Sequence, residues 1–179
     1  IFVGKMSSFF FVHGSFRFSL YWSGVNSRFN IQILFCMAKK YKVGYTCGVY
    51  DLFHIGHLNL FERCKEMCEY LIVGICNDDY VRIIKKKEPV INESDRARIV
   101  EALKCVDEVC IIDIPTTNDK MIALEKFNFN VLFSGDDWKG TERYLKTEAD
   151  FAKKGVSIEY LPYTHEISTT LIKERLSKQ

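Results

Sequence analysis

The sequence has no apolar run long enough to cross a bilayer. Phe9-Phe10-Phe11-Val12 is the longest dense stretch near its start and is soon interrupted by His13, Gly14 and Arg17, far short of the roughly 20 residues a spanning helix needs. The same stretch is too short for a secretory h-region and has no small-residue cleavage site after it, so no secretory signal is expected. Also missing is any Cys-x-x-Cys pair: the seven cysteines are an odd number, and Cys47, Cys76, Cys105 and Cys110 lie in or beside apolar runs. Buried, reduced thiols in a cytoplasmic protein explain that pattern better than a disulfide framework or a zinc site. Residues 1–36 contain no acidic residue, only Lys5, Arg17 and Arg28. Removing these three from the 25 basic residues leaves 22 against 23 acidic ones. The body of the chain is thus nearly neutral and shows no basic stripe, which argues against a nucleic-acid partner. No internal repeat or low-complexity run suggests more than one folded domain.

Basic, acid-free composition over residues 1–36 fits a transit peptide or sequence lying ahead of a start at Met37-Ala38-Lys39-Lys40. We expect this segment to be an irregular N-terminal extension outside the fold, with the domain running from 37 to 179.

What the chain does contain is a loop, Cys47 to His57, between a short strand at Lys42–Tyr45 and an apolar helix stripe of Leu58, Phe61, Cys64 and Cys68. The first N–H groups of a helix have no internal partner, and its dipole adds partial positive charge there, so such a loop suits phosphate. Gly48 and Gly56 permit close approach to the backbone. His54 and His57, three residues apart, can face one anion from the same side and, if protonated, offset its charge. Taken alone, the two histidines could equally be a metal-binding pair or unrelated surface residues.

Downstream, strand-like and helix-like stretches alternate. Tyr70–Ile75, Glu108–Ile112, Val131–Phe133 and Val156–Leu161 read as strands. Asp78–Ile84, Asn92–Leu103 with Asn92 as N-cap, the Met121, Leu124 and Phe127 stripe, Tyr144–Lys153 and a helix opened by Ser168-Thr169-Thr170 read as helices. Alternation predicts an α/β fold: a five-stranded parallel sheet, helices on both faces, right-handed crossovers, and a ligand crevice beyond the carboxyl ends of the strands.

Four separated segments carry a resemblance to a known family: Gly48 to His57; Asn92 to Val109, with Arg96 and Val106-Asp107-Glu108-Val109; Gly135-Asp136-Asp137-Trp138-Lys139-Gly140; and Ile167-Ser168-Thr169-Thr170. From about Tyr41 to Leu176 the chain resembles the cytidylyltransferase branch of the His-x-Gly-His nucleotidyltransferases, most closely the glycerol-3-phosphate cytidylyltransferases. The first segment marks the superfamily, and the Gly-Asp-Asp-Trp and Ile-Ser-Thr-Thr loops point to the cytidylyl branch. The resemblance implies a Rossmann-like fold and transfer of CMP from CTP to an alcohol phosphate, glycerol 3-phosphate first, releasing pyrophosphate. Choline, ethanolamine or another polyol phosphate as acceptor, or ATP as donor, is the alternative within that superfamily. A nucleotide-binding regulatory protein with weak turnover is the alternative of another class. Mg²⁺ without a dedicated protein site, a homodimer, and a role in phospholipid or cell-surface polymer synthesis are further implications.

By the same resemblance His54 and His57 stabilise the transition state, and Lys85 or Lys87 engages phosphate. Cys47, Gly48, Val49, Tyr50, Asp51, Gly56, Arg96, Gly135, Asp137, Trp138, Thr164, Ile167, Ser168 and Thr169 would bind the nucleotide. Three residues depart from the family pattern. Tyr163 replaces an arginine, removing one bidentate cation; Val49 replaces a frequent threonine; Lys104 stands where the glycerol-3-phosphate enzymes often have arginine.

Overall fold

In a computed structural model of the chain, residues 6–12, 15–20, 38–162, 164 and 166–178 are described. The chain divides into two compact units, Ile1–Ala38 and Lys39–Gln179. In the first, β1 (Met6–Val12) pairs antiparallel with β2 (Ser15–Leu20). Irregular chain was expected there, but a phenylalanine-rich run has high strand propensity.

The second unit alternates as the pattern predicts. Its elements are β3 (Tyr41–Gly48), α1 (Ile55–Met67), β4 (Cys68–Cys76), a π-turn at Tyr80–Ile84, α2 (Glu93–Glu101), β5 (Glu108–Ile112), α3 (Ile114–Asn118), α4 (Lys120–Phe127), β6 (Val131–Gly135), a 3₁₀ turn at Asp136–Trp138, α5 (Glu142–Ala152), β7 (Ser157–Leu161) and α6 (Thr169–Leu176). The five strands are parallel, in the order β5-β4-β3-β6-β7. Successive strand residues point to opposite faces, so each strand feeds two cores. Leu71, Val73 and Ile75 of β4 join Val131 and Phe133 of β6 against Phe61 and Cys64 of α1 and Val100 of α2. On the other face Tyr45, Ile72 and Leu132 pack with Ala123 of α4 and with Tyr144 and Phe151 of α5.

Side chains at the helix starts explain where the helices begin. Asn92, Asp113, Asp119, Thr141 and Ser168 each accept a backbone N–H from the first turn of the helix that follows. Three local readings change. Cys68 is not on α1: the helix ends at Met67 and Cys68 opens β4, its thiol donating to Cys64 O at 3.2 Å. The chain passes from helix to strand with no loop between, so the apolar stripe runs on past the helix end. Asp78–Ile84 contains a π-turn, closed by Lys85 N–H donating to Tyr80 O. Finally, α3 was not foreseen, because its five residues are too few to show a period.

From the central strand β3 the connections run outward both ways: β3 leads to β4 on one side, and β6 leads to β7 on the other. The topological switch point therefore lies between β3 and β6, where an open α/β sheet presents its crevice.

Candidate functional site

A cavity of about 330 Å³ occupies that switch point. Its walls come from the carboxyl ends of β3 and β6 and from the loops beyond them. Cys47, Gly48, Val49, Tyr50, Lys85, Gly135, Asp137 and Trp138, all expected at the site, line it. Lys87 is exposed and is not among the lining residues, so of the two candidate lysines it is Lys85 that reaches the cavity.

The loop entering α1 is built under strain. Tyr50 and Leu52 adopt left-handed conformations, with φ of 53° and 48°, at a cost of about 1–2 kcal/mol each for non-glycine residues. Asp51 between them is 5% exposed and fixes the loop. Its Oδ1 accepts from Leu52 N–H and Ile91 N–H and its Oδ2 from Val90 N–H, all at 3.0 Å. Lys173 of α6 lies 3.3 Å from Oδ2, and Thr169 Oγ1 donates to the Asp51 carbonyl at 2.9 Å. Burial works to raise the Asp51 carboxyl, but the two amides and Lys173 outweigh it and hold it below its usual range. The carboxylate is thus committed to protein partners, and its position, rather than contact with nucleotide, is what the geometry supports.

Arg96 requires the same correction. It is 1% exposed; its guanidinium donates to Ile91 O at 2.9 Å, to Asp78 Oδ1 at 2.6 Å and to Val49 O. All three contacts are internal, so Arg96 braces the loop from beneath. Tyr50 likewise turns its ring inward, edge-on to Phe61 and His57. A Cβ on Gly48 would come within 2.8 Å of that ring.

His54 is the N-cap of α1, and its Nδ1 accepts Gly56 N–H at 3.1 Å. A neutral ring that accepts at Nδ1 carries its proton on Nε2, ready to donate. The Gly56 amide thereby orients His54 instead of meeting an anion itself, and a Cβ at Gly56 would press on the His54 ring at 3.0 Å. His57 stacks on His54, ring centres 3.8 Å apart and planes 22° apart. Burial pushes His57 down to about 3, with the His54 charge adding to it and Asp51 opposing, and burial also lowers His54. Both shifts favour the neutral rings, so hydrogen-bond donation is the role they favour and charge compensation, which required protonated imidazoles, is disfavoured. His57 Nδ1 has no hydrogen-bond partner among the described residues.

Ile167 lies against Gly56, which brings the Ile167-Ser168-Thr169 segment to the start of α1. Ser168 caps α6 through Leu171 N–H at 3.2 Å, so both hydroxyls of this motif already have backbone partners. Thr164 is half-buried and is not among the cavity-lining residues. Tyr163, which stands in place of the family arginine, lies outside the described residues.

Sequence reading missed Lys120 and Arg143. Lys120 lines the cavity at 5% exposure, donating to Thr117 O at 2.7 Å and to Cys47 Sγ at 3.0 Å. Burial alone would lower its pKa, but the sulfur outweighs it and the net direction is upward, so the ammonium stays charged. Arg143 of α5 donates to Thr117 O and Asn118 O and sits 5.8 Å from the Trp138 ring centre. Lys85, Lys120 and Arg143 thus face a single lining carboxylate, Asp137. A lysine starting a short helix reads as solvated; no local pattern marks one that packs against a cysteine 73 positions away.

The stacked histidines at the start of α1 follow in the chain from Gly48–Tyr50, which wall the crevice with its three cations; neither ring is itself among the lining residues. A family model described as Cytidylyltransferase-like matches residues 45–175. The chain belongs to the cytidylyltransferase-like family. The glycerol-3-phosphate cytidylyltransferase of Bacillus spizizenii is 37% identical over 134 residues, covering 74% of this chain and 95% of that protein. Its counterpart in Staphylococcus aureus is 37% identical over 131 residues, 73% of this chain and 92% of that one. Among solved structures, the lipopolysaccharide core biosynthesis protein of Thermoplasma volcanium has the same fold, with a TM-score of 0.57 at 22% identity over 69% of this cytidylyltransferase-like chain and 97% of that one.

Two predictions test these supports. Arg96→Met leaves Asp78 without its buried partner and is expected to lower unfolding free energy by about 3–5 kcal/mol, measured by urea denaturation; an unchanged midpoint would refute the bracing role. For His57, the unfolded chain binds a proton below 6.5 that the folded chain refuses until about 3. Its contribution to stability is therefore complete above pH 6.5 and erodes as pH falls toward 3, by at most about 1.4 kcal/mol per unit. Urea midpoints measured down this range should fall more steeply for the wild type than for His57→Asn, and parallel curves would assign the loss elsewhere.

Proposed function

We propose that this member of the family transfers CMP from CTP to glycerol 3-phosphate, giving CDP-glycerol and pyrophosphate. The observation that carries the reading is the oriented, uncharged His54–His57 stack at the start of α1, beside a crevice with three cations and one carboxylate. The named activity of the relatives supports the donor and the acceptor.

In this reaction an acceptor phosphate oxygen attacks the α-phosphorus in line with the departing pyrophosphate, and the protein's work is positioning and charge stabilisation. The proton on His54 Nε2 donates to phosphate oxygens as their charge grows, and His57 does so from the stacked ring. As neutral donors they need no imidazolium and cost no reorganisation at the moment of transfer. Lys85 and Lys120 hold the anionic acceptor, with Arg143 behind them. Asp137 can accept from the cytosine exocyclic amine. Ser168 and Thr169 hold the start of α6 against the histidine loop, where the triphosphate would lie.

Mg²⁺ is the metal implied. Among the described residues no group of three ligating side chains is gathered, and one lining carboxylate fits an ion bound mainly by phosphate oxygens and water. Such an ion would supply charge neutralisation on the triphosphate. The three cations also disfavour a choline or ethanolamine acceptor, whose headgroup carries positive charge. No helix among the described residues is long and apolar enough to cross a membrane. A cytoplasmic setting is supported by the six described cysteines, all free thiols. We expect a homodimer, as the resemblance implies, with the transfer chemistry contained in residues 39–179.

Pyrophosphate release measured for CTP and ATP against several alcohol phosphates is expected to be fastest with CTP and glycerol 3-phosphate. CTP binding without release for any pair would instead favour the regulatory alternative. His57→Ala is expected to lower kcat by at least about a hundredfold with its far-UV circular dichroism unchanged; near-normal turnover would remove the histidine from the mechanism.

A further inference from the structure

Cys47 and Lys120 meet in the cavity wall in a way that nucleotidyl transfer does not require. Lys120 Nζ donates to Cys47 Sγ at 3.0 Å and to Thr117 O at 2.7 Å. The lysine is buried, so its nitrogen is held at the sulfur, while Cys47 is only half-buried and lines a cavity that admits small molecules. Attack on a peroxide is made by sulfur as thiolate, and Lys120 Nζ is the hydrogen-bond donor placed at that sulfur, where a proton is needed by the departing oxygen. No other described cysteine takes a hydrogen bond from a cation. Burial pushes the thiols of Cys64 and Cys105 up, that of Cys68 to about 11 and those of Cys76 and Cys110 to about 12. Cys64, Cys68 and Cys76 are buried, and Cys105 and Cys110, half-buried like Cys47, do not line the cavity.

We infer that Cys47 and Lys120 form a redox-modification site, at which hydrogen peroxide or another small hydroperoxide oxidises the sulfur and the lysine traps it as a sulfenamide. In the first step the thiolate attacks one peroxide oxygen and the O–O bond breaks. The sulfur gives up two electrons and becomes a sulfenic acid; the other oxygen leaves as water with a proton from the Lys120 ammonium. In the second step the freed amine attacks the sulfur, the S–O bond breaks, and hydroxide leaves as water with a proton from the nitrogen. One peroxide is consumed and two waters are released. A sulfenic acid condenses with a nitrogen held against it, and Lys120 supplies that nitrogen. A small thiol reverses the bond by attacking sulfur, restoring the amine, and a second resolves the mixed disulfide. Resting on the reading of Lys120 as an acceptor ligand, the cross-link removes the buried cation and stops turnover until it is reduced.

The full chain, treated with hydrogen peroxide, digested and read by mass spectrometry, is expected to yield a peptide pair joining Cys47 to Lys120, two hydrogens lighter than its parts. Dithiothreitol should abolish it, and activity should fall with the cross-linked fraction and return on reduction. In Cys47→Ala the ratio of oxidised to reduced activity should stay near one, whatever its starting level. In Lys120→Arg the cross-link should vanish and Cys47 should proceed to irreversible sulfinic acid. A cross-link without loss of activity would uphold the site and overturn the role given to Lys120 in turnover. A disulfide from Cys47 to Cys76 or Cys110, a wild-type sulfinic acid at Cys47, or no peroxide-dependent change there would overturn the proposal.

Discussion

The buried carboxylate of Asp51 ties together three stretches that are far apart in the chain: the strained turn that carries the histidines, the Val90-Ile91 segment leading into α2, and α6 through Lys173. Each partner meets part of the cost of burying the charge, and each is in turn fixed by it. Arg96 repeats the arrangement from below, reaching Val49, Ile91 and Asp78. With a left-handed residue on either side of Asp51, the loop has few other conformations that keep these bonds, which is how strained backbone persists at a functional site. This network holds the turn that carries His54 and His57, and the Gly56 amide and the stacked His57 ring then orient His54 upon it.

The electrostatics divide between the two halves of the site. At the start of α1 the neutral form of the donors is favoured, because two stacked, half-buried rings cannot share a positive charge cheaply. In the crevice the charge is permanent, carried by Lys85, Lys120 and Arg143. In the proposed reaction the crevice would attract the anion and the histidines orient it, two tasks falling to groups with different pH dependence.

The five-stranded parallel sheet and several helix starts were legible in the sequence, because apolar period and capping residues are local signals; the strand order was not, since it depends on long-range pairing. Asn92 and Ser168 begin their helices for reasons visible within four residues, whereas α5 starts two residues before the expected Tyr144, capped by Thr141. The family motifs located both the histidine loop and the Gly135–Trp138 wall. What could not be read was the use made of polar side chains. Asp51 and Arg96 look like ligands in a motif and are supports in the fold, since only tertiary packing shows that their hydrogen bonds are already spent. Lys120 is the converse, an ordinary helix-start lysine by pattern that becomes a buried cation because Cys47 and Thr117 converge on it. The π-turn before Lys85 was equally hidden, as it depends on backbone bonds rather than on residue type.

The sheet itself is unevenly laced. Strand β3 is paired with β4 from Tyr41–Cys68 through Gly48–Ile75, but with β6 only at Gly44–Val131 and Tyr45–Leu132. The molecule is in effect two half-sheets hinged along a two-rung seam, with the crevice opening where the rungs stop. Splaying at this seam would break fewer ladder pairs than at any other strand boundary of the five-stranded sheet. A nucleotide bridging β3 and β6 would supply the missing rungs, and its arrival would be felt by the protein first as stiffness.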